Sequence, residues 1–307
     1  MNPLRGIFLK LMSVTVFVAM VTCIKTVADT VPPGETVFFR SLFAIPVILG
    51  WLAWHHNLAH GLKTKNPMGH VWRGLVGTAA MAMSFTALGL LPLPEVTAIG
   101  YAAPVLTVIF AAMFLGEEVR AFRLSAVALG LMGVIVILIP RLTVLNIETV
   151  DKLETAGAFL MLMGAVFVAL AQVFVRKLVS TESTAAIVFY FSVTATLLSL
   201  LTLPFGWVVP NWSDAALLIL AGLLGGVGQI LLTLSYRHAD TSVIAPFEYL
   251  SILLAVIVGY FVFDEIPNSF TVAGVALVIL AGLIIIYRER KLGLERARQR
   301  EVMTPQG

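Results

Sequence analysis

The stretch Ile244-Ala245-Pro246-Phe247-Glu248-Tyr249 places an acid and a helix breaker inside a segment that is otherwise apolar. The surrounding run from Thr241 to Phe261 is long enough to span a bilayer, and Glu248 would lie roughly 10 Å inside a hydrocarbon core about 30 Å thick. A carboxylate at that depth is costly unless it is paired, neutralised or hydrated, so it marks a path for a solute or a proton. The alternative is a hydrogen-bonded glutamate that only ties two helices together.

Composition predicts that the whole chain is a membrane protein. Of its 307 residues, 59% are hydrophobic and 12% are charged, and its mean hydropathy is +0.98. The single cysteine, Cys23, excludes an intrachain disulfide and a cysteine metal cluster. The loops are too short for a nucleotide-binding domain and the sequence has no Gly-x-x-x-x-Gly-Lys-Ser/Thr motif, so transport driven by ATP within this chain is not expected.

Long apolar runs bounded by charges or prolines predict an all-α polytopic membrane protein with ten transmembrane helices. The predicted spans are Gly6 to Ala28, Thr36 to Trp54, Val71 to Leu91, Val96 to Leu115, Arg123 to Ile139, Ala156 to Val175, Ala185 to Leu203, Asp214 to Tyr236, Thr241 to Phe261, and Phe270 to Tyr287.

The distribution of basic residues predicts the orientation, because cytoplasmic loops carry the excess of Lys and Arg. With both termini cytoplasmic, four of the 20 Lys and Arg fall on the outer side, namely Lys25, Arg40, Arg141 and Lys152. Lys10, Lys25 and Arg40 are expected to extend from helix ends to the membrane surface, and the basic tail, 288–307, to lie on anionic headgroups. Because the basic residues flank apolar spans, the expected partners are a solute and the lipid bilayer, not nucleic acid.

A motif of the first span recurs later, which predicts an internal duplication. Gly6-Ile-Phe8-Leu9-Lys-Leu11-Met12 matches Gly157-Ala-Phe159-Leu160-Met-Leu162-Met163 at an offset of 151, and the same offset pairs Lys25 with Arg176 and Ser41 with Ser192. Further on, Glu117-Glu118 corresponds to Asp264-Glu265. The two halves, 6–140 and 156–287, would hold five spans each, and an odd number inverts the second half. Inverted repeats are typical of secondary transporters, whose solute site lies between the halves near the midplane.

Polar and aromatic side chains within the spans are the candidates for solute contact. The predicted substrate-binding residues are Glu248, Tyr249, Tyr101, Gln172, Tyr190 and Gln229. An amide in hydrocarbon needs hydrogen-bond partners, and a tyrosine offers a flat solute a stacking surface. Contacts between helices would explain the same residues. Pro104 and Pro246 would free backbone carbonyls to line the cavity.

Three other features have simpler interpretations. The glycines of the eighth span predict close helix packing, not a phosphate site; they are Gly222, Gly225, Gly226 and Gly228. Asp264 and Glu265 are interpreted as solvated turn residues at the end of a span. The histidine-rich loop after the second span has neither acid nor cysteine, so no metal site is predicted.

Several motifs together resemble a known family. They are Phe39-Arg40-Ser41-Leu42-Phe43-Ala44, the run from Ala103-Pro104-Val105 to Gly116-Glu117, and the run from Ala245-Pro246-Phe247-Glu248-Tyr249 to Glu265-Ile266-Pro267. Over nearly its whole length the chain is similar to the EamA family of the drug/metabolite transporter superfamily. The resemblance implies a bacterial inner-membrane carrier of amino acids, other metabolites, nucleotide-like compounds or vitamins, without a cofactor, and it allows a homodimer. The start Met1-Asn2-Pro3-Leu4-Arg5-Gly6 is similar, more narrowly, to riboflavin importers.

The sequence therefore predicts a secondary transporter and not an enzyme, with riboflavin uptake as the expected activity. Riboflavin is flat, uncharged and rich in hydroxyls, which suits stacking residues and amides. A zwitterionic amino acid would need both signs of charge, and although Glu248 supplies one, no buried basic residue near the midplane is evident. An exporter of amino acids or related metabolites is the alternative, and an intramembrane enzyme using Glu248 or a membrane scaffold also stays open.

Overall fold

The computed structural model describes residues 3–55, 61–115, 152–179, 181–238 and 250–277, with short stretches at 128–129, 132–133, 135–136, 279–280, 283–284 and 287. No strand occurs among those residues, which agrees with the predicted all-α fold. The helices are α1 (Pro3–Thr26), α2 (Pro33–Leu42), α3 (Ala44–Trp54), α4 (Pro67–Leu90), α5 (Leu93–Gly100), α6 (Ala102–Leu115), α7 (Lys152–Val179), α8 (Thr184–Ser199), α9 (Trp212–His238) and α10 (Leu250–Phe263). A 3₁₀ helix, Leu200–Phe205, follows α8.

Five helical segments of the described chain are long and apolar enough to cross a membrane. They are Leu4–Thr26, Pro33–Trp54, Lys152–Val175, Thr184–Phe205 and Trp212–Ser235. These segments confirm the first, second, sixth, seventh and eighth predicted spans. Most of the fifth predicted span and the stretch 239–249 lie outside the described residues, so the count of ten stays a prediction.

Two helices begin earlier than predicted because of proline start signals. Asn66 caps α4, since its side chain accepts a hydrogen bond from Gly69 N at 2.9 Å, and Pro67 follows at the first helical position. Proline is favoured there because the N–H of a residue at the first helical position has no acceptor within the helix, so a proline loses no hydrogen bond. Pro33 begins α2 in the same way. Residues near the predicted starts of these two spans therefore lie about one helical turn farther from the helix start than predicted.

Two predicted spans are interrupted three residues before a proline. The second span breaks at Phe43, before Pro46, and the fourth breaks at Tyr101, before Pro104. A proline ring clashes with the carbonyl four residues earlier, so the chain departs from helical geometry just before it. The break before Pro104 lies at Tyr101, and whether the freed carbonyls line a cavity stays a prediction.

The direction of the helices follows from contacts at their ends. Along α1 and α9, Ser13 Oγ donates to Gly228 O at 2.9 Å and Thr30 beyond α1 donates to Asp214 Oδ2 at 3.0 Å, so these helices are antiparallel. The start of α7 meets the end of α4, where a Cβ at Gly157 would lie 2.7 Å from Leu90 Cβ. Lys25, in the last turn of α1, donates from Nζ to carbonyls at the end of α4. Helices α1 and α4 are therefore parallel. The two helices that share the repeated motif, α1 and α7, therefore run in opposite directions.

The glycines of α9 allow three helices to approach it closely, which confirms the packing prediction. A Cβ atom at any of them would lie within about 3.3 Å of a side chain or backbone atom of α1, α2 or α3, or of Phe43 between the last two. The backbone of α9 consequently reaches the centre of the bundle.

Candidate functional site

Arg40 lies inside the bundle on α2. The residue is 3% exposed, and its Nε has no hydrogen-bond partner among the described residues. The guanidinium reaches α9 at Gly225, where a Cβ atom would lie 3.2 Å from Nε. The expectation that Arg40 extends to the membrane surface is therefore wrong. The same holds for Lys10, which is 1% exposed.

Arg73 on α4 reaches the same region from a second helix. Its Nε and Nη1 atoms are buried and have no hydrogen-bond partner in the described part of the chain. Its Cζ lies 4.0 Å from the centroid of the Phe191 ring on α8, and the Cζ of Arg40 lies 5.7 Å from the same centroid. We call Arg40, Arg73 and Phe191 the arginine site.

Helical spacing brings these groups together. Arg73 and Gly77 are one turn apart and so lie on one face of α4. A Cβ at Gly77 would lie 2.7 Å from Phe191 Cε2 and would also collide with Arg73 Nη1, so glycine leaves the space that both groups occupy. The residues after Arg40 and Phe191 are Ser41 and Ser192, and both hydroxyls are buried without a described hydrogen-bond partner.

The arginine site carries positive charge that no described residue neutralises. An arginine keeps its proton at physiological pH, and neither side chain forms an ion pair within the described ranges. Contact with an aromatic ring offsets only part of the cost of taking a cation out of water. Contrary to the expectation that no buried base is evident, Arg40 is buried inside the bundle and Arg73 buries two of its guanidinium nitrogens there.

Of the predicted substrate-binding residues, Tyr101 and Gln229 lie within the bundle. The hydroxyl of Tyr101, at the break between α5 and α6, hydrogen-bonds Ser251 Oγ of α10, which joins helices as the alternative interpretation expected. Gln229 is half-buried on α9, one turn after Gly225 and on the same helix face. Gln229 is thus the predicted residue nearest in register to the arginine site.

The other predicted residues lie elsewhere. Tyr190 donates from its hydroxyl to Leu62 O at 3.0 Å, and its ring lies 4.8 Å from that of His70. Gln172 is exposed on α7. Glu248 and Tyr249 lie outside the described residues, so their place in a site stays a prediction.

A buried carboxylate holds the start of α4 near Tyr190. Glu182 Oε1 accepts hydrogen bonds from Lys65 N at 2.7 Å and Asn66 N at 2.9 Å, and its Oε2 lies 3.5 Å from His70 Nε2. Desolvation raises the pKa of the Glu182 carboxyl, but the two backbone N–H groups, with the His70 and Thr64 side chains, outweigh it and hold that pKa below its ordinary value.

An ion pair closes the opposite end of the bundle. Lys25 Nζ lies 2.9 Å from Glu265 Oε1 and donates to Leu91 O at 2.9 Å, while Leu93 N donates to Glu265 Oε2 at 2.8 Å. We call Lys25 and Glu265 the latch. The interpretation of Glu265 as a solvated turn residue is wrong, and so is the expectation that Lys25 only extends to the surface. Asp264 is exposed, as expected.

Comparison with known proteins identifies the family. The sequence model of the EamA-like transporter family matches residues 4–139 and, again, residues 155–288. The chain belongs to the EamA-like transporter family. It is thus a transporter of the class that the motifs resembled and a multi-pass membrane protein of a bacterial type.

Relatives in this family carry different solutes. The chain is 30% identical over 257 residues to the S-adenosylmethionine uptake transporter of Rickettsia prowazekii, covering 84% of each chain. It is 28% identical over 287 residues to the pseudopaline exporter of Pseudomonas aeruginosa, covering 93% of this chain and 97% of that one. These names support a carrier of a small metabolite and give the riboflavin prediction no support.

The fold also occurs among solved structures, of which one crystal structure serves as an example. It superposes with a TM-score of 0.67 at 18% identity and covers 94% of this chain and 98% of its own. At that identity the likeness shows the fold alone.

Sequence reasoning missed the arginine site because it expected Arg40 to extend to the membrane surface and counted Arg73 among the basic residues of the cytoplasmic side. Arg40 and Arg73 fall inside the predicted spans Thr36 to Trp54 and Val71 to Leu91. The start signals Pro32-Pro33 and Asn66-Pro67 extend both helices backwards and move the arginines deeper. Reading those signals together with the charges would have marked both residues as buried.

Proposed function

We propose that this protein is a secondary transporter that moves a small organic metabolite across the bacterial inner membrane by alternating access between two inverted halves. The observation that supports this most directly is the opposite direction of α1 and α7. Each packs antiparallel to the third long helix of the other half, α1 against α9 and α7 against α4, while α2 packs against α8. Solute sites of such carriers lie between the halves.

Two carboxylates that link the halves support the inverted arrangement. Glu35 at the start of α2 accepts a hydrogen bond from Val208 N, just before α9, at 3.1 Å. Glu182 just before α8 accepts from Lys65 N and Asn66 N, just before α4. Glu35 therefore links α2 to the start of α9, and Glu182 links the start of α8 to the start of α4. In each pair, the second long helix of one half is joined to the third long helix of the other.

The described charges favour a cytoplasmic N-terminus. Arg5 at the start of α1, Lys63 and Lys65 before α4, and Lys177 at the end of α7 belong to one end of the bundle by helix direction. The positive-inside rule makes that end cytoplasmic. The latch then lies at the outer end.

For the solute we propose an amino-acid-derived metabolite, with S-adenosylmethionine as the first compound to test. The relative named for S-adenosylmethionine supports this choice over riboflavin. A neutral solute was favoured because no buried base was expected, and the buried guanidinium nitrogens of Arg40 and Arg73 remove that reason. Direction of transport is left to experiment, because one relative is an uptake protein and another an exporter.

The test is solute counterflow in proteoliposomes containing the full chain. Vesicles loaded with unlabelled S-adenosylmethionine are expected to accumulate the labelled compound from outside, whereas liposomes without the protein, loaded in the same way, are not. Riboflavin is assayed in parallel. Exchange of riboflavin without exchange of S-adenosylmethionine would restore the vitamin prediction, and exchange of neither would count against both solutes.

Glu248 is proposed to couple transport to protons or to orient the solute. Glu248→Gln keeps the side chain's shape and removes its charge. We expect this variant to lose the stimulation of uptake by a pH gradient. Uptake equal to that of the parent at every pH would contradict a coupling role.

A further inference from the structure

We propose that the arginine site binds an oxyanion of the transported solute, a carboxylate or a phosphate, between the guanidinium groups of Arg40 and Arg73. This inference rests on the proposed transport function and names the chemical class of its substrate. It assigns Arg40 and Arg73 to direct contact with the solute and Phe191 to their positioning.

The first support is charge. Arg40 is 3% exposed, and three guanidinium nitrogens of the pair are buried without a hydrogen-bond partner among the described residues, namely Arg40 Nε, Arg73 Nε and Arg73 Nη1. A buried cation without a partner is strongly unfavourable, and two that share one ring also repel each other. An oxyanion would supply the missing hydrogen-bond acceptors and the missing charge at once.

The second support is the shape of the donors. A guanidinium presents its N–H groups in a planar fork that matches the two oxygens of a carboxylate or phosphate. Phe191 lies within reach of both guanidiniums, at 4.0 Å and 5.7 Å, so it limits how far either can turn. Gly77 and Gly225 leave the space that the two side chains occupy. The fork of each arginine is thereby held before a solute arrives.

The third support is position. Arg40 lies roughly 10 Å from the start of α2, and Arg73 lies roughly 10 Å from the start of α4. The starts of α2 and α4 lie at opposite ends of the bundle, because α2 follows the end of α1 and α4 runs parallel to α1. The arginine site is thus near the middle of the membrane, where a solute could reach it from either side in turn.

The test measures binding with two matched pairs of probes. S-adenosylmethionine is compared with decarboxylated S-adenosylmethionine, which lacks only the carboxylate, and riboflavin 5′-phosphate is compared with riboflavin, which lacks only the phosphate. Binding to the purified full chain in detergent is followed by ligand-induced stabilisation and by direct titration. We expect one oxyanion-bearing probe to bind at least about tenfold more tightly than its partner that lacks the oxyanion.

The variants are Arg40→Met, Arg73→Met and, as a matched control for loss of a cation, Lys63→Met in an exposed loop. Each arginine variant should lose the preference for the oxyanion, whereas Lys63→Met should keep it. Without ligand, Arg40→Met should melt at or above the temperature of the parent, because it removes an uncompensated buried charge. A purely structural arginine would show the reverse, a lower melting temperature and an unchanged preference.

The outcomes separate the subsite from the proposed function. Tight binding or transport that is equal for a probe and its partner without the oxyanion overturns the subsite and leaves the transporter intact. Binding of none of the four probes, with the protein shown to be folded, also overturns the subsite. A preference for riboflavin 5′-phosphate alone supports the subsite and assigns its anion as a phosphate.

Discussion

Gly77 is the residue on which the geometry of the arginine site depends most sharply. We expect Gly77→Ala to displace Arg73 or Phe191, because a Cβ there would lie 2.7 Å from Phe191 Cε2 and collide with Arg73 Nη1. Binding of the preferred solute should weaken about tenfold or more, even though alanine favours the helix by about 1 kcal/mol.

The matched control for this change is Gly50→Ala on α3, where a Cβ would meet nothing within 4 Å. That variant should bind like the parent and be equally or more stable. Titration of both proteins checks the pair. Equal affinities of Gly77→Ala and Gly50→Ala would show that the contact of Arg73 with Phe191 does not matter for binding.

At the residue scale, sequence reasoning located polar side chains in the spans but could not rank them. Tyr101 and Tyr190 were noticed because they are polar in apolar runs, yet each makes a hydrogen bond that holds the bundle together. Arg40 was expected at the membrane surface because a positive charge near a helix end usually lies there, and Arg73 was counted only as a cytoplasmic-side charge. Only three-dimensional packing shows that Phe191 and two glycines make room for them inside.

At the scale of helices, Glu182 secures the start of α4. We expect Glu182→Gln to destabilise the protein by about 1 to 2 kcal/mol at neutral pH, because two backbone N–H groups lose a charged acceptor. Glu35→Gln is the matched variant and should cost less, since Glu35 accepts from Val208 N alone among the described backbone donors. Melting temperatures in detergent compare the two.

The pH dependence of this contribution has a definite sign. The pKa of Glu182 is lowered in the folded protein, so its stabilisation is complete above the ordinary value of 4.5 and is lost as the pH falls through the lowered value. The parent should therefore lose stability on acidification more steeply than Glu182→Gln. Parallel melting curves for the two proteins from neutral pH to about pH 3 would contradict this assignment.

At the scale of the whole molecule, the latch closes one end of the bundle. Breaking it should open that end, and Cys23, half-buried two residues before Lys25, can report the opening. We expect Glu265→Gln to speed labelling of Cys23 by a membrane-impermeant maleimide several-fold, because Lys25 loses its charged partner and the N–H of Leu93 its charged acceptor.

Asp264→Asn is the control for the latch, because Asp264 is exposed and its φ of 54° suits asparagine as well as aspartate. Its labelling rate should match that of the parent.

The overall plan was more predictable than the site. Five spans, the helical class and the family follow from apolar runs and local motifs, which depend on neighbours in sequence. The latch and the arginine site join residues that are far apart in sequence, as Leu93 and Glu265 are. Such pairings depend on which helices pack together and in what register, and the hydropathy of a single span does not determine either.

In the proposed inverted arrangement, Arg40 and Phe191 would be counterparts, 151 residues apart, and their side chains are in contact. A position that contacts its own counterpart lies beside the axis relating the halves, so a dimer of identical half-length chains would place the same residue there twice. Two arginines would repel each other as like charges, and two phenylalanines would provide neither positive charge nor hydrogen-bond donors for an anion. In that proposed arrangement, the pairing of a cation with a ring needs both halves in one polypeptide, where a single substitution can break the symmetry and give the proposed site a preference for one end of a solute.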